Sequence, residues 1–313
     1  MEIPFYQQYR TAPIAFDLAA FGKVALTGKD RSSFLQNFTT NDVIKPGTGS
    51  GCETFLTTAQ ARIVAWLRVA IREHDLYVNM EPGLAAAVIQ HLEKYIIGEE
   101  VQLQDKTAQD FLRLITNYPD AKSMVPWQVK DNAWDITGVS MQRCDFPGAS
   151  SCFIWGDRSL LPLVEKKTAG IPLLTIRDPL WTTLRLETNT PAHGLDFDAS
   201  NLPQEVNRNE SAISFTKGCY IGQETVARIR AYGQVNKQLR RIKIESSDAM
   251  SMEGLSLLHD NKAVGTIKTV AYSPQWKHWL AFAMIRKEHL TPGTRLSVQH
   301  DSQSVWVEVM EPT

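Results

Sequence analysis

Apolar residues along this chain fall into short runs broken by turn-forming residues, which is the texture of strands mixed with modest helices. Val24 to Leu26 is such a run, and Gly28 and Asp30 follow it. Asp30 is placed to cap a helix that buries Phe34, Leu35 and Phe38. Pro46-Gly47-Thr48-Gly49-Ser50-Gly51 breaks the pattern. Ile63 to Ile71 then reads as a strand, Glu73-His74-Asp75 as a turn and Leu76 to Val78 as the returning strand. Leu84 to Ile97 carries the Ala, Leu and Glu content and the i, i+4 apolar spacing of a helix, and the unit closes near Val101 to Leu103. The alternation recurs between Phe111 and Leu174, with strands at Phe111 to Ile115 and Cys152 to Trp155 and a helix at Leu160 to Lys167. Pro126-Trp127 and Pro147-Gly148 mark loops, and Trp127 and Trp134 read as core or loop anchors.

After Leu239 the texture becomes uniformly β: Leu239 to Ile244, Val264 to Tyr272, Leu280 to Ile285, Arg295 to Val298 and Val305 to Val309, with turn residues between them. The expected class is α+β, antiparallel sheets covered by helices, with a small antiparallel β-barrel as a C-terminal domain. A chain of 313 residues exceeds the usual size of one domain. The division expected is 1–50 together with 108–236 as one α+β domain, 51–107 as a second, and 237–313 as the barrel.

Composition narrows the class. With 43% hydrophobic and 21% charged residues the chain is of ordinary globular type, and it contains no apolar run long enough for a membrane helix. The start, Met1 to Arg10, has no secretory pattern, so a cytoplasmic location is expected. Cys52, Cys144, Cys152 and Cys219 are scattered without a C-x-x-C pair, which points to free thiols rather than a disulfide framework, a metal site or a resident iron–sulfur cluster. The net charge is -1, but residues 217–243 place Lys217, Arg228, Arg230, Lys237, Arg240, Arg241 and Lys243 against the single acid Glu224. Such a stretch attracts a polyanion, RNA or a polyglutamylated cofactor, or is simply a solvated face.

The densest chemistry lies at Lys217-Gly218-Cys219-Tyr220-Ile221-Gly222-Gln223-Glu224. Ile213 to Thr216 reads as a strand end, Gly218 as the turn, and Cys219 to about Arg230 as a helix. Cys219 at a helix start beside Lys217 would favour thiolate, so it is the candidate catalytic thiol, although a small packed residue fits the same place. Gly222 within a helix implies a close neighbour.

This string, continued by Val226-Ala227-Arg228, resembles the signature of the YgfZ-like folate-binding proteins, relatives of the glycine-cleavage aminomethyltransferase. Leu184 to Asp196 is similar to the family's segment in which R-x-E precedes a Pro and a Gly-x-Asp, and Phe38 to Val43 is similar to its T-N-D-V element, where Asp42 reads as a turn former. The resemblance implies an aminomethyltransferase-like fold that binds tetrahydrofolate or a one-carbon derivative. It implies Glu187 against the pterin, with Trp181 and Phe21 as aromatic pocket walls; a core role is the alternative for both aromatics and an ion pair with Arg185 for Glu187. Lys217, Gly218, Tyr220, Gly222, Gln223, Glu224 and Arg228 are the motif residues around Cys219.

By the same resemblance the expected role is accessory: support of iron–sulfur enzymes, including those that thiolate tRNA. The aminomethyltransferases carry a Gly-Gly-hydrophobic-x-Asp-Asp segment where this chain has Ala61-Arg62-Ile63-Val64-Ala65-Trp66. Ala65 and Trp66 cannot replace acids in proton transfer, so aminomethyl transfer is not expected. A one-carbon transferase using other acids and a tRNA-binding module using the 217–243 stretch are the alternatives.

Overall fold

The computed structural model describes residues 2–147, 150–233, 235–301 and 303–311, so Gly148 of the second expected loop lies outside the described residues. The chain opens with α1 (Tyr6–Thr11), β1 (Ile14–Asp17), β2 (Gly22–Thr27) and α2 (Arg31–Gln36). β3 (Ser50–Thr57), β4 (Ile63–Ile71) and β5 (Leu76–Met80) form a meander, followed by α3 (Ala85–Glu93) and β6 (Gln102–Asp105). Next come β7 (Asp110–Thr116), α4 (Pro119–Lys122), β8 (Val129–Lys130), β9 (Ser140–Cys144) and β10 (Ser151–Asp157). α5 (Leu161–Lys167), β11 (Leu173–Thr175), α6 (Pro179–Glu187), α7 (Asn209–Ala212) and α8 (Gln223–Tyr232) lead to β12 (Lys237–Ile244), β13 (Ser256–His259), β14 (Lys262–Ser273), β15 (His278–Arg286), β16 (Arg295–His300) and β17 (Gln303–Val309).

These strands build one sheet in the order β3-β4-β5-β2-β6, a second in the order β11-β1-β7-β10-β9-β8, and a closed barrel β12-β15-β14-β13-β16-β17. The α+β class and the C-terminal barrel are as expected. The first sheet draws on residues from Gly22 to Asp105, so β2 pairs with β5 and β6 across position 50.

Strand periodicity decides what each face does, because successive side chains point to opposite sides. On β4 the odd positions Ala65, Leu67, Val69 and Ile71 join the core under α2 and α3, while Trp66 and Ala70 belong to cores on the other side of the sheet. On β5, Leu76, Val78 and Met80 face the helices and Tyr77 faces the opposite way. Arg68 pairs with Asn79 in register, and Glu81, two residues on, therefore leaves the sheet on the side that carries Trp66 and Arg68. That is how an acid and a base come to one inter-sheet space.

The barrel is apolar inside and partly outside. Trp279, Ala281, Ala283 and Ile285 of β15 fill its interior, whereas Leu280, Phe282 and Met284 pack outward with Leu186 of α6. A buried ion pair fastens the same helix: Arg185 Nη1 donates to Asp196 Oδ2 at 2.6 Å, and Thr269 on β14 donates to Asp196 Oδ1 at 2.6 Å. Asp178 caps α6 through a bond from the Leu180 amide, with Pro179 in the first helical position.

Two local expectations change. Asp30 flanks α2 but makes no side-chain cap; its Oδ2 accepts from the Glu100 amide at 2.8 Å and ties the helix start to the chain before β6. Residues 213–216 form no strand, since the Ser214 amide donates to the Thr40 carbonyl in a single docking bond rather than in a ladder.

Candidate functional site

A slot of about 330 Å³ opens between the two sheets and α6. Phe21, Phe146, Phe153 and Trp181 wall it, and Arg68, Glu81 and His193 bring polar atoms to it. Trp181 meets Phe146 edge to face at 5.0 Å and Phe21 at 6.4 Å, so the indole is held from two sides. Glu81 and Arg68 are buried, and Arg68 Nη2 donates to Glu81 Oε1 at 2.8 Å. Glu81 Oε2, Arg68 Nη1 and His193 Nε2 are buried without a hydrogen-bond partner. Burial holds the His193 imidazole below its ordinary pKa, which favours the neutral ring. Unspent buried acceptors and donors are costly, and at the wall of an aromatic slot they are the natural partners of a flat polar heterocycle.

The structure brings Phe21 and Trp181 to this slot but not Glu187. Both Glu187 oxygens accept from the Tyr6 hydroxyl at 2.9 Å, and Oε1 also accepts from Ser273 Oγ at 2.5 Å, so this carboxylate joins α1 to the barrel. The cause is helical phase: Trp181 and Arg185 share the slot face at i, i+4, and six residues past Trp181 a side chain stands about 120° away round the helix. Glu187 does not pair with Arg185 either, because Arg185 is held by Asp196. The acid at the slot, Glu81, carried no motif; only the β4–β5 register reveals it.

The signature segment departs most from expectation. α8 begins at Gln223, after Gly222 with φ +84°, so Cys219 lies before the helix and not at its first turn. Gly222 is required there twice over: its φ is left-handed, and a Cβ would stand 2.6 Å from the Thr58 carbonyl oxygen. Lys217 is buried and faces away from solvent. Its Nζ donates to the carbonyls of Gln36 and Thr39 at 2.6 Å and of Asn41 at 2.9 Å. Burial lowers its pKa to about 8. Lys217 is therefore a clamp on the α2–β3 connection rather than a charge spent on the thiol.

That connection is the T-N-D-V element. Asn41 Nδ2 reaches the Ser211 carbonyl at 2.8 Å and Thr40 Oγ1 the Ala212 carbonyl at 2.7 Å. Asp42 Oδ1 accepts from the Ile44 and Lys45 amides at 3.0 and 2.9 Å, the turn-forming role expected of it. Two segments far apart in sequence thus lock together.

Cys219 is exposed, whereas Cys52, Cys144 and Cys152 are buried. Burial pushes the Cys52 and Cys144 thiols up to about 12, so neither ionises near neutrality. Among the described residues no cluster of His, Cys, Asp and Glu could hold a metal ion. No helix among them is long and apolar enough to cross a membrane.

Motif and slot are connected by shared walls. The slot shares Arg68, Phe146, Phe153 and Thr190 with a cleft of about 670 Å³, which shares Asn209, Gln238 and Arg240 with another of about 500 Å³. Phe215 and Arg230 then lead to a fourth cleft of about 340 Å³ lined by Tyr220 and Gln223. Gly218, Cys219, Glu224 and Arg228 stand outside these walls; Cys219, Glu224 and Arg228 are exposed beside them. Trp66 lines the second cleft with Arg68 and Arg208 stacked on its ring at 4.3 and 4.9 Å. Those guanidiniums are in turn paired to Glu81 and Glu53. Each of the two guanidiniums thus makes a cation–π contact with the Trp66 ring.

This architecture, two α+β layers closed by a barrel, is the aminomethyltransferase fold. The structure of the glycine cleavage aminomethyltransferase T from Bartonella henselae superposes with a TM-score of 0.85 over 96% of this chain and 85% of that one, at 17% identity. Residues 237–313 match the model of the glycine cleavage T-protein C-terminal barrel domain. Over the longer span the chain is 26% identical to a putative chloroplastic transferase of Arabidopsis thaliana, covering 95% of this chain and 70% of that protein. It is 24% identical to the tRNA-modifying protein YgfZ of Colwellia psychrerythraea, covering 71% of this chain and 69% of that protein.

Proposed function

We propose that this protein binds tetrahydrofolate or a one-carbon derivative in the Phe21–Trp181 slot, with Glu81 and Arg68 reading the pterin edge. The observation that carries the proposal is the unpartnered, buried Glu81 Oε2 at the wall of an aromatic slot. A pterin presents adjacent N–H donors and a ring carbonyl on one planar edge. A carboxylate oxygen and a guanidinium N–H complement that edge, and burial between aromatic faces excludes competing water. Trp181 and Phe146, packed edge to face, line the slot, and neutral His193 offers a further ring nitrogen. Bound folate would supply a carrier for one-carbon units; the protein's own groups bind, orient and shield it.

The role we propose is accessory: supporting iron–sulfur enzymes, among them those that modify tRNA. Its basis is the likeness to the tRNA-modifying protein YgfZ, the Cys219 motif and the exposure of that thiol. Aminomethyl transfer is the weaker reading because Trp66 stacks between two arginines where the acids would stand. Direct RNA binding loses two of its cations, since Lys217 and Arg241 are buried.

Calorimetric titration with tetrahydrofolate tests the binding, with saturable heat expected in the wild type and at least about a tenfold loss of affinity in Trp181→Ala, where a buried aromatic wall is removed. No heat, or an unchanged Trp181→Ala, would remove the folate assignment. Complementation of an iron–sulfur-dependent tRNA thiolation defect by wild type and not by Cys219→Ala tests the role; full rescue by Cys219→Ala would take the thiol out of it.

A further inference from the structure

A separate cleft of about 320 Å³ lies on the outer face of the barrel beside the 198–201 loop, and Lys237, Lys268 and Arg286 line it. Lys237 on β12 and Arg286 on β15 stand directly opposite each other in the ladder, so the two cations leave one face of the sheet side by side. Like charges in that position repel. Among the described residues no side-chain hydrogen bond or salt bridge engages Lys237, Lys268 or Arg286. The one acid in the wall is Asp198. Hydrogen bonds from Ser200, and after them the Lys268 charge, hold its carboxyl below the ordinary pKa, so it is ionised near neutrality. Three cations less one carboxylate leave the cleft with a charge of +2. Hydroxyls complete the polar wall: Ser256 on β13 stands opposite Thr266 on β14, and Ser200 comes from the loop.

We propose that this cleft binds the phosphate monoester group of a small molecule, held by Arg286, Lys237 and Lys268. A guanidinium fork, two ammonium groups and hydroxyl donors complement a tetrahedral oxyanion. A phosphate monoester carries close to two negative charges near neutrality, which matches the balance of the wall, whereas a carboxylate or a phosphodiester carries one. The volume suits a small ligand, and no aromatic ring is present among the described wall residues to stack a nucleobase. Binding is non-covalent, and the anion relieves the repulsion between Lys237 and Arg286. The cleft shares no wall residue with the Trp181 slot, so the site stands independently of the folate reading.

The test combines thermal unfolding of the full chain in inorganic phosphate against chloride, at one low ionic strength, with calorimetric titration of glycerol 3-phosphate. The wild type should melt higher in phosphate, with a rise that saturates, and should bind glycerol 3-phosphate with a Kd of about 1 mM or lower. Lys237→Gln and Arg286→Gln should each melt no lower than wild type in chloride, because the repulsion is gone, and should bind the monoester at least about tenfold more weakly. Lys262→Gln, an exposed position on β14 outside the cleft, should stay within about twofold of wild type. An oligoribonucleotide without terminal phosphates offers only diesters and should bind at least about tenfold more weakly per phosphate than the monoester. No saturable phosphate effect in the wild type, or unchanged affinity in both Lys237→Gln and Arg286→Gln, would overturn the site. So would an equal loss in Lys262→Gln. Tighter binding of the oligoribonucleotide would replace the monoester by an RNA backbone, and a lower melting point of both cleft variants in chloride would remove the repulsion on which the site rests.

Discussion

Replacing Lys217 by methionine should separate the clamp from a thiol activator. The substitution takes a donor from three carbonyls, those of Gln36, Thr39 and Asn41. At about 2 kcal/mol for each charge-assisted bond to a buried acceptor, the loss is about 6 kcal/mol. Against it stands the cost of keeping the ammonium inside: burial lowers the Lys217 pKa from 10.5 to about 8, which corresponds to about 3 kcal/mol that methionine does not carry. Net destabilisation near neutrality is therefore about 3 kcal/mol. The sign with pH follows from the lowered folded value. Between about 8 and 10.5 the unfolded chain binds more protons at Lys217 than the folded one, so wild-type stability rises with pH through that window relative to the variant. Urea unfolding of both proteins should show a gap that widens by about 2 kcal/mol between about pH 7 and about pH 9.5. A gap below about 1 kcal/mol, or one that narrows above about pH 8, would refute the buried clamp.

Three further outcomes follow from the same geometry. Gly222→Ala places a Cβ 2.6 Å from the Thr58 carbonyl oxygen at φ +84° and should cost about 2 kcal/mol or more in thermal unfolding; an unchanged melt would contradict the docked loop. With three of the four thiols buried, a thiol reagent should label one cysteine in the native protein and none in Cys219→Ser, and rapid labelling of a second site would be inconsistent with this packing. Trp66→Asp introduces an acid but removes a buried ring stacked on Arg68 and Arg208, so it should lose about 3–5 kcal/mol and gain no aminomethyl transfer. Measurable turnover there would show that the acid alone was missing.

Much of the fold was legible in the sequence because burial imposes periodicity. β4 is apolar at almost every position since both of its faces are covered, and it reads as a strand end to end. β13 gave no signal: of its four residues only Leu257 is buried. The start of α8 was misplaced because Gly222 in the left-handed region stops the helix from extending back through Ile221 and Tyr220, although the residues themselves tolerate helix. The motifs did not fix the directions of their side chains. In the 184–196 segment, Arg185 and Asp196 form the buried pair and the glutamate between them turns to Tyr6, a matter of helical phase that a linear pattern does not encode. Glu81 was illegible for the complementary reason, since it becomes a site residue only when β4 and β5 are in register and the slot walls arrive from Phe146 and α6.

In the proposed folate complex Glu81, and not Glu187, meets the ligand in the aromatic slot. Tetrahydrofolate affinity measured for wild type, Glu81→Gln and Glu187→Gln, with melting curves to confirm that each is folded, tests it most directly. A loss of about 10–100-fold in Glu81→Gln with Glu187→Gln within about threefold of wild type is the predicted result. Loss of binding in Glu187→Gln alone, with Glu81→Gln unaffected, would contradict it.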